Sequence, residues 1–235
     1  MGVVAIVQAR LGSTRLPGKV LMDLEGQPML YRQLERIKRS RLLDDFVVAT
    51  SCNKLDDALE EFCWRVGVAC YRGSENDVLS RYLATAYHIG LSDGDSIVRL
   101  TADCPLTDWR MIDRVILYHK KYLADYTSNV IPPTYPDGLD VEVFTLEALE
   151  KAWTHNNKVH CEDCSEHVTT HMKDLKHFKT ISVVGEEDLS KLKWSVDTMD
   201  DLMFVRGVYK KLFKSNPDFG AEEILELYGT IRNRI

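Results

Sequence analysis

The stretch "VVAIVQARLGSTRLPGKVL", Val3–Leu21, gives the clearest indication of the fold. It opens with an apolar run of strand length that lacks the alternation of a half-exposed strand. Such runs are typical of strands that are buried on both faces of a sheet. A loop with two glycines, a proline and the cations Arg10, Arg15 and Lys19 follows directly. The rest of the sequence must show where in the fold this cationic loop lies.

Apolar runs of strand length alternate with helical periodicity over the first half of the chain. This β-α-β order predicts a single-domain α/β fold, a mostly parallel Rossmann-like sheet flanked by helices. Ligands bind such sheets outside the carboxyl ends of the strands, so we expect the loop at the ligand-binding edge. The predicted strands are 3–8, 46–50, 68–71 and 96–100, and the predicted helices are 28–40, 56–66, 76–89 with Asn76 as its cap, and 108–122.

The second half is less regular but contains no repeat and no linker. We therefore predict one domain over residues 1–235, in which residues 125–190 form a small β-rich elaboration that covers the substrate or forms a dimer contact. The predicted strands are 125–129, 140–144, 178–184 and 192–197, and the predicted helices are 146–153, 165–174, 200–213 and 221–228.

Composition excludes some classes of partner. The chain has 235 residues, a formal net charge of -6 and 45% hydrophobic residues. An acidic chain is a poor general binder of nucleic acid or of anionic membranes, so any bound anion needs a local basic pocket. The sequence shows neither a targeting signal nor an apolar run that could span a bilayer. We therefore expect a cytoplasmic location and reduced cysteine thiols.

The loop does not match the common phosphate-binding motifs. Five residues separate Gly12 from Gly18, where a P-loop has four, and Val20 stands where a P-loop has Ser or Thr. The dinucleotide motif G-x-G-x-x-G is also absent. Backbone N–H groups and three cations in such a loop are suited to cradle a triphosphate. An ordinary solvated basic loop is the alternative.

Several stretches resemble one family. "QARLGSTRLPGKVL" (Gln8–Leu21) resembles the signature of nucleotidyltransferases that activate acidic sugars with CTP, such as CMP-KDO synthetase and the acylneuraminate cytidylyltransferases. The resemblance is strongest to the cytidylyltransferase family of spore-coat polysaccharide biosynthesis protein F. The other matching stretches are "YRGSENDVLSRY" (71–82), "VRLTADCPLTD" (98–108), "YPDGLDVEVF" (135–144), "SEHVTTH" (165–171) and "LKWSVDTMDDL" (192–202).

This resemblance implies a fold of the nucleotide-diphospho-sugar transferase type, CTP as substrate, Mg²⁺ as cofactor, an acidic sugar as acceptor and a homodimer. The acidic composition already predicts no partnership with nucleic acid or membrane. The enzyme would release pyrophosphate and serve the synthesis of surface polysaccharide or glycan.

Two aspartates are candidates to hold the metal. Asp103 follows the predicted strand 96–100, and Asp197 ends the predicted strand 192–197. Carboxylates are the ligands that Mg²⁺ prefers, and the resemblance implies that these two hold it. Each aspartate also precedes a helix or a proline, so a capping role is the alternative, more so for Asp197.

The resemblance also implies the remaining site residues. A turn followed by a capped helix would explain Ser74 equally well, and a solvated sheet face would explain Asp140 and Glu142. The catalytic candidates are Arg10, Lys19, Asp103 and Asp197. The nucleotide-binding candidates are Gln8, Ala9, Arg10, Gly12, Ser13, Arg15, Lys19, Arg72, Ser74 and Asp77. The acceptor-binding candidates are Arg99, which could instead pair with Asp103, and Asp140, Glu142, Glu166 and His167.

Two further motifs have competing interpretations. Asp93-Gly94-Asp95 resembles the DxD metal motif of glycosyltransferases, but it precedes its strand and is better explained as a turn. Cys161, Cys164, His167 and His171 have the residue types of a zinc site, although their close spacing favours ordinary thiols near a helix start.

Two other functions stay open at this point. One is a glycosyltransferase that uses a finished nucleotide sugar on a related α/β fold. The other is a non-catalytic subunit that binds nucleotide. Neither is excluded by the sequence alone.

Overall fold

The computed structural model describes residues 2–174 and 176–232, and of residues 228–232 only the backbone. Its strands are β1 (Val3–Gln8), β2 (Asp23–Leu24), β3 (Gln27–Pro28), β4 (Asp45–Ser51), β5 (Cys70–Gly73), β6 (Ser96–Thr101), β7 (Tyr126–Ser128), β8 (Glu142–Thr145) and β9 (Thr180–Ser182). Its α-helices are α1 (Met29–Ile37), α2 (Asp57–Arg65), α3 (Val78–His88), α4 (Trp109–Tyr122), α5 (Leu146–Val159), α6 (Glu162–Glu166), α7 (Met199–Leu212) and α8 (Ala221–Arg232).

The main sheet has seven strands in the order β5-β4-β1-β6-β8-β7-β9. The four strands β5, β4, β1 and β6 run parallel to one another, as predicted. Beyond β6 the sheet becomes mixed, because β8 runs antiparallel to both β6 and β7, and β9 is parallel to β7. Gln8 at the end of β1 pairs with Ala49 on one side and Thr101 on the other. The carboxyl ends of β1 and β6 therefore meet at one edge.

Helices cover both faces of the sheet. Along β1, Val3, Ala5 and Val7 face one core layer, and Ile6 faces the other. The first layer packs against α1, α2, α4, α7 and α8, and the second against α3 and α5. Because β1 is buried on both faces, its uninterrupted apolar run is explained.

Three predicted elements differ from the structure. Residues 192–197 form no named strand; they follow an irregular path with a single bridge between Asp137 and Lys193. The predicted helix 165–174 is broken into α6, which ends at Glu166, and a 3-10 turn at His171–Lys173. The cap of α3 is Asp77 rather than Asn76, since the Asp77 carboxylate accepts the Ser80 N–H at 2.8 Å.

A close approach of backbones explains why residues 192–196 leave the sheet pattern. Gly138 has φ 112°, and a Cβ there would lie 2.6 Å from the backbone nitrogen of Ser195. The Asp137 carbonyl accepts the N–H groups of Trp194 and Ser195 at 2.6 and 3.0 Å, and its carboxylate accepts the Ser195 hydroxyl at 2.9 Å. The segment is thus fixed by the turn at residue 138 instead of by a regular ladder.

The Asp93-Gly94-Asp95 segment is a turn, as predicted. Its Asp95 carboxylate accepts N–H groups from Gly2 at 2.6 Å and from Ser92 at 3.0 Å. The turn lies before β6, at the edge of the sheet opposite the carboxyl ends. Among the residues that the structure describes, no helix combines the length and apolarity needed to cross a bilayer.

Candidate functional site

The loop after β1 folds back on itself. Gly18 adopts the left-handed conformation with φ 71°, and its N–H donates to the Leu11 carbonyl at 2.9 Å. Leu16 and Val20 are buried and anchor the loop to the core. The Leu11 N–H donates to the Asp56 carboxylate at 2.7 Å. Gly18 is thus needed for the turn that brings Lys19 back toward the sheet edge.

This loop forms one wall of a cleft of about 220 Å³. The other wall is the end of β6 and the segment at Asp197. The site therefore lies at the carboxyl ends of β1 and β6, where α/β sheets bind their ligands. The cleft is lined by Gln8, Ala9, Arg10, Ser13, Thr14, Arg15, Lys19, Val20, Thr101, Ala102, Asp103 and Asp197.

Asp103 and Asp197 converge on one lysine. The Lys19 Nζ lies 3.3 Å from Asp103 Oδ2 and 3.2 Å from Asp197 Oδ1, and it donates to the Val196 carbonyl at 2.6 Å. Only 9% of the Lys19 side chain is exposed. The Val196 N–H donates to the Asp103 carbonyl at 2.8 Å, so the two acidic segments are also joined through their backbones. The two acids meet even though no strand precedes Asp197.

Asp197 is surrounded by positive charge. Arg15 Nη2 lies 3.1 Å from its Oδ1, and Lys193 Nζ lies 3.1 Å from its Oδ2. Partial burial alone would raise the pKa of Asp197, but Lys193 and Lys19 outweigh it and lower that pKa below its usual value. The carboxylate is therefore held ionised at neutral pH.

The donor set fits a hard divalent cation. Two carboxylates face one cleft, and Lys19 Nζ already stands between them as a positively charged group. Mg²⁺ is commonly bound by one or two carboxylates together with substrate phosphates, which is what this cleft offers. The described residues contain no group of three or more His, Cys, Asp or Glu side chains arranged to hold a metal by themselves. A metal here would complete its coordination with substrate phosphates and water.

Gln8 carries an unpaired acceptor in the cleft. Its Oε1 atom is buried without a hydrogen-bond partner in the structure. A buried amide oxygen left unpaired is costly, which favours a ligand donor at this position. Gln8 and Ala9, two of the predicted nucleotide-binding residues, both line the cleft.

A second cavity adjoins the first through Arg10, which lines both. It brings together Asp77, a predicted nucleotide-binding residue, and Glu166, a predicted acceptor-binding residue. It measures about 530 Å³ and is also lined by Glu75, Asn76, Glu162 and Ser165. Arg10 therefore stands between the cleft of the two aspartates and a larger polar cavity.

Three predicted nucleotide-binding residues line neither the cleft nor the second cavity. The Arg72 guanidinium pairs with Asp57 and Glu60 at 2.7 and 2.8 Å and donates to two carbonyls, which leaves it fixed in the loop wall. The Ser74 hydroxyl accepts the Asp77 N–H at 3.0 Å, the turn that the alternative interpretation expected. Gly12 is exposed and does not line either cavity.

Arg99 pairs with Glu142 rather than with Asp103. The two are cross-strand partners on β6 and β8, and their side chains form a hydrogen-bonded ion pair. Glu142 also accepts the hydroxyls of Tyr126 and Thr169 at 2.5 and 2.7 Å, and its side chain is only 4% exposed. Burial raises its pKa, but Arg99, Lys173 and the two hydroxyls together outweigh this, and the net shift is downward. Glu142 is therefore a buried structural group, and the solvated sheet face expected as an alternative is wrong.

Asp140 and His167 have different surroundings. Asp140 is an exposed residue, yet the protein around its carboxyl group reduces the hydration of the charged form and raises its pKa to about 6. The negative charges of Asp137 and Glu142 shift the pKa in the same direction. His167 is exposed, and its Nε2 lies 3.7 Å from Asp163 Oδ1 just beyond α6. Neither lines the two cavities described above.

The four candidate zinc ligands are not brought together. Cys161 and Cys164 form a disulfide, which contradicts the expected reduced thiols. The His171 Nε2 contacts the Asn156 side chain at 3.2 Å, and its ring packs against His155. Two of the candidate ligands are consumed by the disulfide and the histidines face different neighbours. The zinc interpretation is therefore wrong for these residues.

The sequence did not single out several residues that shape the site. Thr14, Thr101 and Ala102 line the cleft, and Lys193 contacts Asp197. Thr101 and Ala102 directly precede Asp103, so the end of β6 was the available signal. Nothing in the spacing of Lys193 distinguished it from other exposed lysines.

The chain is similar in sequence to several known proteins. The family model described as cytidylyltransferase matches residues 4–218. An uncharacterized protein of Methanocaldococcus jannaschii is 39% identical over 224 residues, which cover 93% of this chain and 87% of that protein. Spore coat polysaccharide biosynthesis protein SpsF of Bacillus subtilis is 30% identical over 238 residues, which cover 96% of this chain and 93% of that protein.

Solved structures show the same fold. A cytidylyltransferase of Leptospira borgpetersenii has a TM-score of 0.89 and 32% identity, with 99% of this chain and 96% of that chain covered. A CMP:2-keto-3-deoxy-manno-octonic acid synthetase in complex with CTP has a TM-score of 0.64, with 90% of this chain and 99% of that chain covered. At 16% identity this is a likeness of fold alone. The resemblance seen in the sequence motifs is confirmed, and the chain belongs to the cytidylyltransferase family.

Proposed function

We propose that the chain transfers a cytidylyl group from CTP to an acidic sugar, with Mg²⁺ as cofactor, for the synthesis of a surface polysaccharide or glycan. The observation that carries the proposal is the convergence of Asp103 and Asp197 on Lys19 in a cationic cleft. Membership of the cytidylyltransferase family and the names of the similar proteins support the choice of CTP and of a sugar acid.

The cleft offers a place for the triphosphate. Arg10, Arg15 and Lys19 all line it, and the Arg15 side chain, which pairs with Asp197, is 64% exposed. In the reaction an acceptor oxygen attacks the α-phosphorus, and the bond to the bridging oxygen breaks to release pyrophosphate. The three cations would neutralise the negative charge on the leaving pyrophosphate, as positioned cations do in phosphoryl transfer.

Asp103 and Asp197 would hold Mg²⁺. The ion would supply Lewis-acid neutralisation of the phosphate oxygens when bound. Of the chain's own groups, Lys19 would leave the carboxylates and contact phosphate, and Gln8 Oε1 would gain the donor that it lacks. The acceptor hydroxyl proton would pass to solvent, since no described side chain in the cleft stands out as a general base.

The larger cavity beside Arg10 would receive the rest of the substrates. Asp77 and Glu166 line it from opposite parts of the chain, the loop after β5 and helix α6. The proposal thus includes the assignment of residues 125–190 to the acceptor side, with the acceptor approaching over α6. It also includes a homodimer and a cytoplasmic location. Size-exclusion chromatography with light scattering tests the homodimer.

A pyrophosphate-release assay tests the function. The purified protein is incubated with Mg²⁺, each of the four nucleoside triphosphates and a panel of sugar acids. We expect pyrophosphate release that requires both CTP and one class of sugar acid. Release of a nucleotide from a finished nucleotide sugar, without use of CTP, would support the glycosyltransferase alternative instead. CTP binding without turnover by any acceptor, and a biological output unchanged by Lys19→Ala, would favour a non-catalytic subunit.

A further inference from the structure

Asp197 is held from outside the cleft by a lysine. Its Oδ1 faces Lys19 and Arg15, while its Oδ2 lies 3.1 Å from the Nζ of Lys193. Lys193 is not among the residues that line the cleft, and 39% of its side chain is exposed. The two oxygens of Asp197 are therefore divided, one toward the cleft and one toward Lys193.

Lys193 is itself held by Asp201, whose Oδ2 lies 2.9 Å from the lysine Nζ. The same oxygen accepts the backbone N–H of Asp197 at 2.9 Å. It also accepts the N–H and the hydroxyl of Thr198 at 2.8 and 2.9 Å, as part of the capping box that starts α7. One carboxylate oxygen thus fixes both the backbone of Asp197 and the lysine that binds its side chain.

We propose that Lys193 and Asp201 are positioning residues that turn Oδ1 of Asp197 into the cleft. The inference rests on the proposed function, because it takes Asp197 to be a metal ligand. Groups that hold a ligating carboxylate by hydrogen bonds orient it, and their loss weakens metal binding by about 10- to 100-fold. A role of Asp201 in capping α7 alone would explain the Thr198 contacts but would assign no function to Lys193.

The pair can be tested by metal affinity without turnover. The affinity of Mn²⁺ is measured by electron paramagnetic resonance in the presence of saturating CTP and with no acceptor. We expect Lys193→Met and Asp201→Asn each to weaken Mn²⁺ binding about tenfold, because solvent screens the repulsion between the ion and the exposed Lys193, whereas loss of its contact frees the Asp197 carboxylate to turn. Lys193→Arg keeps a cation at this position and is expected to retain most of the affinity. The matched controls are Lys191→Met and Asp200→Asn, which change exposed residues of the same segment and the same helix start.

A double variant tests whether Lys193 and Asp201 act as a unit, and thermal unfolding checks that each variant is folded. If the pair acts as a unit, Lys193→Met with Asp201→Asn weakens Mn²⁺ binding no more than the stronger single change. Thermal unfolding of each variant checks the fold, and Lys193→Met alone carries the test if Asp201→Asn does not fold. Wild-type Mn²⁺ affinity in Lys193→Met would overturn the inference.

Asp197→Asn distinguishes failure of the inference from failure of the proposed function. Wild-type Mn²⁺ affinity in Asp197→Asn would show that Asp197 is not a metal ligand, and would contradict the proposed function at this site. Loss of affinity in Asp197→Asn together with wild-type affinity in Lys193→Met would leave the site intact and refute only the positioning pair.

Discussion

The carboxylates of Asp103 and Asp197, which lie far apart in the sequence, meet at a single ammonium group. Lys19 Nζ lies 3.3 Å from the first and 3.2 Å from the second, and it is almost fully shielded from solvent. The ammonium offsets one of the two negative charges, and Arg15 and Lys193 add positive charge beside Asp197. A divalent cation that binds the same two oxygens must compete with Lys19.

This competition predicts that Lys19 opposes metal binding in the absence of nucleotide. Lys19→Met should strengthen Mn²⁺ binding to the nucleotide-free protein at least about tenfold, or about 1.4 kcal/mol. Two cations some 4 Å apart repel by about 4 kcal/mol even at an effective dielectric constant of 20, so the removed repulsion is ample. Electron paramagnetic resonance of free Mn²⁺ measures the effect.

Lys54→Met, a change of an exposed lysine, is the control and should leave Mn²⁺ binding unchanged. Equal Mn²⁺ affinity in Lys19→Met and in the wild-type protein would show that the ammonium does not compete with the metal.

The ion pair between Arg99 and Glu142 should be essential for stability. Arg99→Met leaves the Glu142 carboxylate buried without its principal cation, and such a loss costs about 3–5 kcal/mol. Urea unfolding measures the change in the free energy of unfolding. The double variant Arg99→Met with Glu142→Gln removes both charges and should recover part of the loss.

Arg110→Met provides the surface comparison, because Arg110 and Asp218 are both about half exposed. Its loss should change the free energy of unfolding by no more than about 1 kcal/mol. An Arg99→Met variant as stable as Arg110→Met would contradict the buried pair described above.

The raised pKa of Asp140 predicts a pH dependence of stability. Its folded-state pKa of about 6 lies above the ordinary value of 3.8, so the folded state binds the proton more tightly than the unfolded state. Asp140 therefore destabilises the fold increasingly as pH rises from about 4 to about 6. Asp140→Asn should gain thermal stability over the wild type across that interval and gain no more above it. Melting temperatures of the two proteins measured from pH 3.5 to 7.5 test this. If the difference between Asp140→Asn and the wild type shrinks as pH rises, the pKa of Asp140 is not raised in the folded state.

Gly138 should not tolerate a side chain. In Gly138→Ala the new Cβ would meet the backbone of Trp194 and Ser195 at 2.6–2.7 Å, in a left-handed conformation, and we expect a loss of at least about 2 kcal/mol. Gly207 lies inside α7 with open space around its Cβ position. Gly207→Ala should therefore stabilise by about 0.5–1 kcal/mol. Unfolding in urea compares the two, and equal effects would argue against the close approach at residue 138.

The parallel half of the sheet was predictable because local signals suffice there. The run Val3–Gln8 is apolar without alternation since both of its faces are buried, and the helices that follow show one apolar face each. The position of Asp103 followed from the same reasoning, because the residue after a central parallel strand lies at the ligand-binding edge.

Asp197 lies beside Asp103, as predicted, but not because it ends a strand. No strand ends there; the segment is placed by the turn at Gly138 and by hydrogen bonds to Asp137, which are contacts between distant residues. Arg72 lies outside the cleft for a similar reason, because its guanidinium pairs with Asp57 and Glu60. Such pairings depend on tertiary packing and leave no periodic signal in the sequence.

The central claim is that Asp103 and Asp197 together hold the metal that accompanies the nucleotide. A crystal of the protein soaked with CTP and Mn²⁺, measured at the manganese absorption edge, locates the ion directly. We expect one anomalous peak at about 2.0–2.3 Å from a carboxylate oxygen of each aspartate, with phosphate oxygens completing its coordination and Lys19 moved away. Bound CTP with the metal ligated by neither aspartate, and Lys19 still between them, would contradict the account.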